Sequence, residues 1–331
     1  MKKKKLRVLL TVMSMLALFS LAACGDKESA TKEEKGESST EETSYTVTHA
    51  MGETELKTTP KRVVVLTNEG TEALLALGIK PVGAVQSWLG DPWYEHIAAD
   101  MEGVEVVGTE SEVSLEKIAA LKPDLIIGNK IRQEAVYEQL KGIAPTIFAE
   151  TLRGDWKENF NLYAKAVNAE EKGKTVLTDY DQKVEDLKGK LGDKTNQEIS
   201  VVRFMAGITR IYYTDSFSGV IFDQLGFKRT EKQASLFNED NKLGNLAIEV
   251  GKESIPDMDA DILFYFTYAP QGDKEATATE EEWTKDGLWN NLSVVKNGNA
   301  HKVEDAVWNT AGGVLAANLV LDEIAAIFEV K

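Results

Sequence analysis

The sequence predicts an α/β protein with two lobes, each a small, mainly parallel sheet flanked by helices, joined by one long rigid helix. Three observations lead there. Val176, Leu177, Tyr180, Val184, Leu187 and Leu191 form an apolar stripe with helical spacing, which marks a helix over residues 169–191. On both sides of it, short apolar runs alternate with helical segments, as in a parallel sheet with crossover helices. The two flanks also share a written trace. Leu115–Ile127 lies without a gap on Lys252–Phe264, with Glu, two apolar positions, Asp and an apolar strand at the same offsets.

The chain has 331 residues, enough for two ordinary domains with a core in each. Its organisation reads as a leader (1–23), a tether (24–44), an N-terminal lobe (45–168), the connecting helix (169–192) and a C-terminal lobe (193–331). Lys2 to Lys5 and Arg7 form a basic start, Leu6 to Ala23 a mostly apolar run, and Leu21-Ala22-Ala23-Cys24 a small-residue ending. These are the parts of an export signal. A single membrane-spanning anchor is the alternative, because the run is near the minimum spanning length. Residues 24–44 after it are mostly Ser, Thr, Glu, Lys, Ala, Gly and Asp, a composition that cannot bury a core.

Order begins at Tyr45. Tyr45–His49 alternates like an edge strand, with Gly52 available for a turn. Arg62–Leu66 is a nearly continuous apolar run, as expected of a strand buried on both faces. Glu72–Leu77 reads as a helix closed by Gly78, followed by strands at Pro81–Val85, Val104–Val107, Leu125–Ile127 and Thr146–Phe148. Ser114–Leu121 and Ala135–Leu140 are the helices between them. The long helix should start at an Asn168 cap with Glu171 closing a capping box, and end at Gly192. At roughly 20 residues it would span about 30 Å. Such a rod predicts only a small closure on ligand binding, so that scattering with and without ligand would show little change in radius of gyration.

Beyond it, Ile199–Phe204 and Ile211–Tyr213 read as strands, Gly219–Leu225 as a helix closed by Gly226, and Asp261–Phe266 as an apolar strand. Val294–Val295 and Lys302–Val303 read as edge pieces, and Gly313–Phe328 as the closing helix. No element is predicted for the polar, acidic stretch from Thr267 to Trp283.

Lys and Arg number 38 against 54 Asp and Glu, and loss of the leader would move the net charge from −16 to −21. So acidic a chain argues against a nucleic-acid partner. One cysteine permits no internal disulfide. No phosphate-binding glycine loop or Gly-x-Ser-x-Gly elbow is present. His49, His96 and His301 are scattered and form no metal-ligand pair. Nothing calls for an enzyme, a cofactor or a protein-held metal.

The scarce cations are more telling. Lys130 and Arg132 follow the strand ending at Ile127, Arg153 follows the strand ending at Phe148, Arg203 sits at the end of the strand from Ile199, and Arg210 precedes Ile211. Open α/β sheets bind ligands off their carboxyl ends, and a guanidinium offers a planar fork to anionic oxygens. Each of these residues could equally make a surface ion pair. Trp88 and Trp308 stand at loop ends where an aromatic ring can wall a pocket, whereas Trp156, Trp283 and Trp289 read as core. Glu116 and Glu253 begin related helices; a helix dipole accounts for one of them, but not for the same offset in both lobes.

Leu21–Cys24 resembles a bacterial lipobox, which implies cleavage before Cys24, diacylglycerol on its sulfur and stable anchoring to the extracytoplasmic face of the cell membrane. Together with Arg62–Leu66 leading into Thr71–Gly78, Leu115–Ile127, the long helix and the copy around Glu253, the exported chain resembles the iron–siderophore-binding lipoproteins of bacterial ABC importers, the helical-backbone class of substrate-binding proteins. The resemblance implies a cleft between lobes and capture of a ferric siderophore of hydroxamate or citrate-hydroxamate type. It implies contacts from Arg132, Arg203 and Arg210, with Tyr212 or Tyr213 and Trp308 as walls, and docking of Glu116 and Glu253 on permease subunits by a monomer. Iron arriving already chelated needs no protein ligands. Cobalamin and haem receptors share the fold. A direct metal-ion receptor and a surface hydrolase are the remaining alternatives.

Overall fold

The computed structural model describes residues 44–237 and 246–330. The leader, Cys24 and the tether up to residue 43 lie outside the described residues. Strands β1 (Tyr45–His49) and β2 (Gly52–Leu56) form an antiparallel hairpin turned by Gly52, whose φ of 117° suits glycine. Five strands then form an all-parallel sheet: β3 (Val63–Val65), β4 (Gly83–Ala84), β5 (Glu105–Val106), β6 (Leu125–Asn129) and β7 (Thr146–Ala149), in the order β5-β4-β3-β6-β7. Strands β3, β6 and β7 are buried along their whole length, as expected of a sheet covered on both faces. Its helices are α1 (Asn68–Ala76), α2 (Leu115–Ala120), α3 (Lys130–Gln133), α4 (Tyr137–Lys141) and α5 (Trp156–Ala166).

Helix α6 (Glu170–Leu191) follows. The expected Asn168 capping box does not form: Asn168 adopts φ 54° and its amide donates to Thr59, while Ala169 occupies the cap without a side-chain bond. Packing anchors the helix instead. Tyr180 meets Trp156 of α5 edge-on at 5.0 Å between ring centroids. Its hydroxyl donates to Gln224 Oε1 at 2.9 Å. Gln224 lies on α7 (Phe217–Leu225) of the second half, so one side chain ties the rod to both halves.

The second sheet contains β8 (Glu198–Met205), β9 (Ile208–Tyr212), β10 (Lys228–Arg229), β11 (Ala247–Val250), β12 (Ile262–Thr267) and β13 (Ala300–Lys302). Its order is β11-β9-β8-β12-β13, with β10 also on β8. Strands β8, β12, β13 and β10 pair in parallel, while β9 and β11 add an antiparallel edge. Helix α8 (Glu231–Leu236) precedes β11. The stretch left without an element holds α9 (Lys274–Thr284), capped by Asp273. After α10 (Gly287–Asn291), the supposed edge strand at Val294–Val295 is instead helix α11 (Ser293–Lys296), in which Val294 is buried in the core. Around Glu253 the chain forms a 3-10 turn over Lys252–Met258, where Pro256 denies the helix an N–H.

Helix α12 (Val314–Ile327) closes the chain. It packs on α1, α6 and α7, and one apolar core runs from Val47 to Phe328 through all of them. Its N-terminus is capped from the other half: Glu72 of α1, fully buried, accepts the Ala316 N–H at 2.9 Å and pairs with His96 Nε2 at 2.5 Å. A Cβ on Gly313 would sit 2.6 Å from that carboxylate, so glycine permits the approach.

Candidate functional site

The order of the first sheet reverses at β3, because the chain runs outward through β4 and β5 and then returns to β6 and β7. That switch point opens a crevice at the carboxyl ends of the strands. Each of the five strands is followed by a lining residue: Glu69 after β3, Trp88 after β4, Glu110 after β5, Arg132 after β6, and Leu152 and Arg153 after β7. The facing wall comes from the second half, with Arg203 near the carboxyl end of β8, Tyr268 just after β12 and Asn309 to Gly312 beyond β13. The free volume is about 640 Å³ including the mouth, within the usual range for a small-molecule site. An adjoining hollow of about 910 Å³ shares Arg132, Leu152 and Arg153 and adds Ile131, Asp215 and Val220. At its floor a Cβ on Gly154 would lie 2.5 Å from the Asp215 carbonyl oxygen, so the two halves touch there backbone to backbone.

The arginines differ in their surroundings. Arg203 is 7% exposed and grips Asp305 with two bonds, Nε to Oδ2 at 2.6 Å and Nη2 to Oδ1 at 3.1 Å. Its third nitrogen donates to the Tyr212 hydroxyl at 3.1 Å, and its guanidinium carbon lies 4.7 Å from the centre of the Tyr268 ring. Burial opposes its charge, but Asp305 and Tyr212 outweigh burial and hold the pKa above the usual arginine value. Arg132 lies 3.6 Å from Glu110 and 5.7 Å from the centre of the Trp88 ring. Its Nε is buried without a hydrogen bond. Glu110 in turn accepts the backbone and side-chain N–H groups of Asn68 at 2.6 and 2.9 Å, which pins the α1 N-terminus to the cavity.

Arg153 occupies a left-handed turn, φ 73°. Its backbone N–H donates to Glu69 at 3.1 Å, while its guanidinium has no ion pair or hydrogen bond among the described residues. Burial lowers its pKa from the usual arginine value, Arg132 and Arg203 act in the same direction, and Tyr212 and Glu110 only partly offset them. Among the described residues, Arg153 is thus the arginine of this cavity without an ion pair, whereas Arg132 has Glu110 and Arg203 has Asp305.

Other expected site residues lie elsewhere. Arg210 pairs with Glu249 at 2.8 Å across β9 and β11, so its guanidinium is engaged away from the cavity. Lys130 pairs with Glu150 at 2.7 Å beside a further depression that shares Arg132 with the cavity, and it does not line the cavity itself. Trp308 is a correction: rather than walling the cavity it is fully buried, stacked on Phe264 with its indole N–H donated to Glu323. Tyr212 is buried behind Arg203 and holds it, whereas Tyr213 stacks on Phe237 at 4.1 Å. Glu116 and Glu253 are both exposed in the first turns of their helical segments. Sequence reasoning missed Glu69, Glu110, Tyr268 and Asn309. Their positions just past strand or helix boundaries were the available signal, but in so acidic a chain two more glutamates carry no mark of their own.

The histidines have other partners. His49 bonds Thr54 and accepts the Met51 and Phe148 N–H groups, His96 serves Glu72, and His301 packs near Phe264. Among the described residues no group of three or more His, Cys, Asp and Glu could hold a metal ion, and no helix is long and apolar enough to cross a membrane.

Known proteins share this architecture. The chain is 58% identical over 315 residues to YfiY of Bacillus subtilis (strain 168), described as a probable siderophore-binding lipoprotein, covering 95% of each. It is 32% identical to the Fe(3+)-citrate-binding protein YfmC of the same organism, covering 92% of each. Among solved structures, Staphylococcus aureus SirA complexed with staphyloferrin B superposes with a TM-score of 0.78 at 37% identity, covering 87% of this chain and 99% of that one. These relatives are binding proteins, not enzymes, and residues 63–303 match the family described as periplasmic binding protein. On that match and these identities, the chain belongs to the periplasmic binding protein family.

Proposed function

We propose that the protein captures a ferric siderophore in the arginine-lined cleft between its two halves and delivers it to an ABC importer. The observation that carries this reading is the convergence of Arg132 and Arg153 from one half and Arg203 from the other on one cavity. Three guanidiniums lining one crevice suit a large chelate whose surface is oxygen and whose iron is already coordinated. The names of the relatives agree with that class. The chelates in view are hydroxamate and citrate-hydroxamate siderophores. The division into lobes at 45–168 and 193–331 about the helix belongs to the same reading, as does anchoring of a monomer to the outer face of the membrane through lipid on Cys24.

Exposed Glu116 and Glu253, one on each half, fit a docking role on two permease subunits, since neither serves the cavity. Titrating tryptophan fluorescence with ferric siderophores, ferric citrate, cobalamin and haem tests the ligand assignment. Saturable quenching by an iron chelate is expected. Quenching by cobalamin or haem alone would replace this reading with one of those receptors.

A further inference from the structure

We propose that Glu69 takes part in ligand recognition as a neutral carboxylic acid, its proton allowing the cleft to accept an anionic chelate that the ionised side chain would repel. This deepens the siderophore reading of the cleft and rests on it. Glu69 lines the cavity from the first turn of α1 and is only 6% exposed. Neutral donors alone meet its oxygens: Asn159 Nδ2 on Oε1 at 2.7 Å and the Arg153 backbone N–H on Oε2 at 3.1 Å. Among the described residues it makes no ion pair, whereas Glu110 has Arg132 and the buried Asp305 has Arg203.

The groups facing Glu69 do not favour its charge. Glu110, from the loop after β5, and Asp155, beside α5, add negative potential. Tyr163 of α5 is buried and kept protonated, chiefly by burial. The guanidiniums of Arg132, Arg153 and Arg203 line the same cavity, and among the described residues none of them forms an ion pair with the Glu69 carboxyl group, while Glu72, on the same helix, is engaged by His96 and Ala316. Taking a carboxylate out of water without a counter-charge favours its neutral form. Burial accordingly pushes the Glu69 carboxyl up to about 8, only partly offset by the Arg153 amide and Asn159.

The charge of the lining follows from this. At neutral pH, Arg132 offsets Glu110, Arg203 offsets Asp305, and Arg153 leaves the wall with one net positive charge. Ionising Glu69 would cancel it and set a bare carboxylate against the guest. The protonated form instead has an O–H to donate to a chelate oxygen. The cleft would therefore discriminate between chelates by charge, and would do so less well in alkali.

The test is fluorescence titration of the full chain and of Glu69→Gln from about pH 6 to about pH 9.5. Ferric citrate serves as the anionic probe and a neutral ferric trishydroxamate as the uncharged one. For the wild type, ferric citrate affinity should hold level to about pH 8 and then fall toward about tenfold per pH unit. The fall should vanish in Glu69→Gln and be less than about threefold for the neutral probe, relative to each protein's own value at pH 6.5. Calorimetry of wild type with ferric citrate at about pH 8.5, in two buffers of different ionisation enthalpy, should show proton uptake on binding whether or not the variant folds. The same decline in Glu69→Gln, or no proton uptake by wild type, overturns the proposal while leaving the siderophore reading intact. Failure of both probes and of other ferric siderophores to bind overturns both.

Discussion

Replacing Arg203 by alanine should damage the fold as well as the site, and the size of the effect can be worked out from its contacts. Arg203 spends three nitrogens inside the protein, two on Asp305 and one on Tyr212, and Asp305 is 2% exposed. Alanine would leave a carboxylate buried with no counter-charge. Breaking one side of a buried pair costs about 3–5 kcal/mol, most of it the stranded charge rather than the lost attraction. Against the typical 5–15 kcal/mol for a whole domain, that is a large fraction. Urea unfolding followed by circular dichroism should show a lower midpoint at unchanged slope. Adding Asp305→Ala to Arg203→Ala should restore at least half of the loss, because the double variant buries no charge. Ferric-siderophore affinity should fall by more than about tenfold in the single variant. A single variant within about 1 kcal/mol of wild type would refute this account of Arg203, as would a double variant no more stable than the single.

Three further outcomes are expected. Trp88 is the tryptophan that lines the cavity, so Trp88→Phe should remove most of the ligand-induced change in fluorescence, and an undiminished signal would move the reporter elsewhere. Glu72→Ala removes the cap on α12 and the partner of His96, and should cost about 2 kcal/mol or more in the same unfolding assay. A loss under about 0.5 kcal/mol would mean that packing alone holds α12. Glu116→Ala combined with Glu253→Ala should leave ligand affinity intact in titration while abolishing uptake of labelled iron by cells. Normal uptake would remove both from the docking surface.

Much of the architecture could be read from the chain because it rests on local rules. Nearly continuous apolar runs announced the buried strands β3, β6 and β12, the mixed run Ile199–Phe204 announced β8, and the 3.6-residue stripe announced α6 to within a residue. Looking for cations at or just past the carboxyl ends of strands pointed to Arg132, Arg153 and Arg203, three residues that line one cavity, because a parallel sheet sends those ends to the same edge. The same search also took in Lys130, after a strand end, and Arg210, before the strand at Ile211; the structure turns them toward Glu150 and Glu249. Pattern alone could not separate the two groups, since a one-residue step in a strand or turn decides which way a side chain leaves the sheet.

Only the tertiary structure decided what surrounds each group, and surroundings set its chemistry. Trp308 at a loop end is core because Phe264 and Phe222 close over it, a contact between elements far apart in sequence. The first sheet's strand order, the cap that Glu72 carries across to α12, and the burial of Glu69 all depend on long-range packing. Local pattern thus determined the buried strands, the rod and the edge of the sheets at which the cavity opens. Desolvation and pairing, which act through space rather than along the chain, decided which arginine is left without an ion pair among the described residues and which glutamate is buried without a counter-charge.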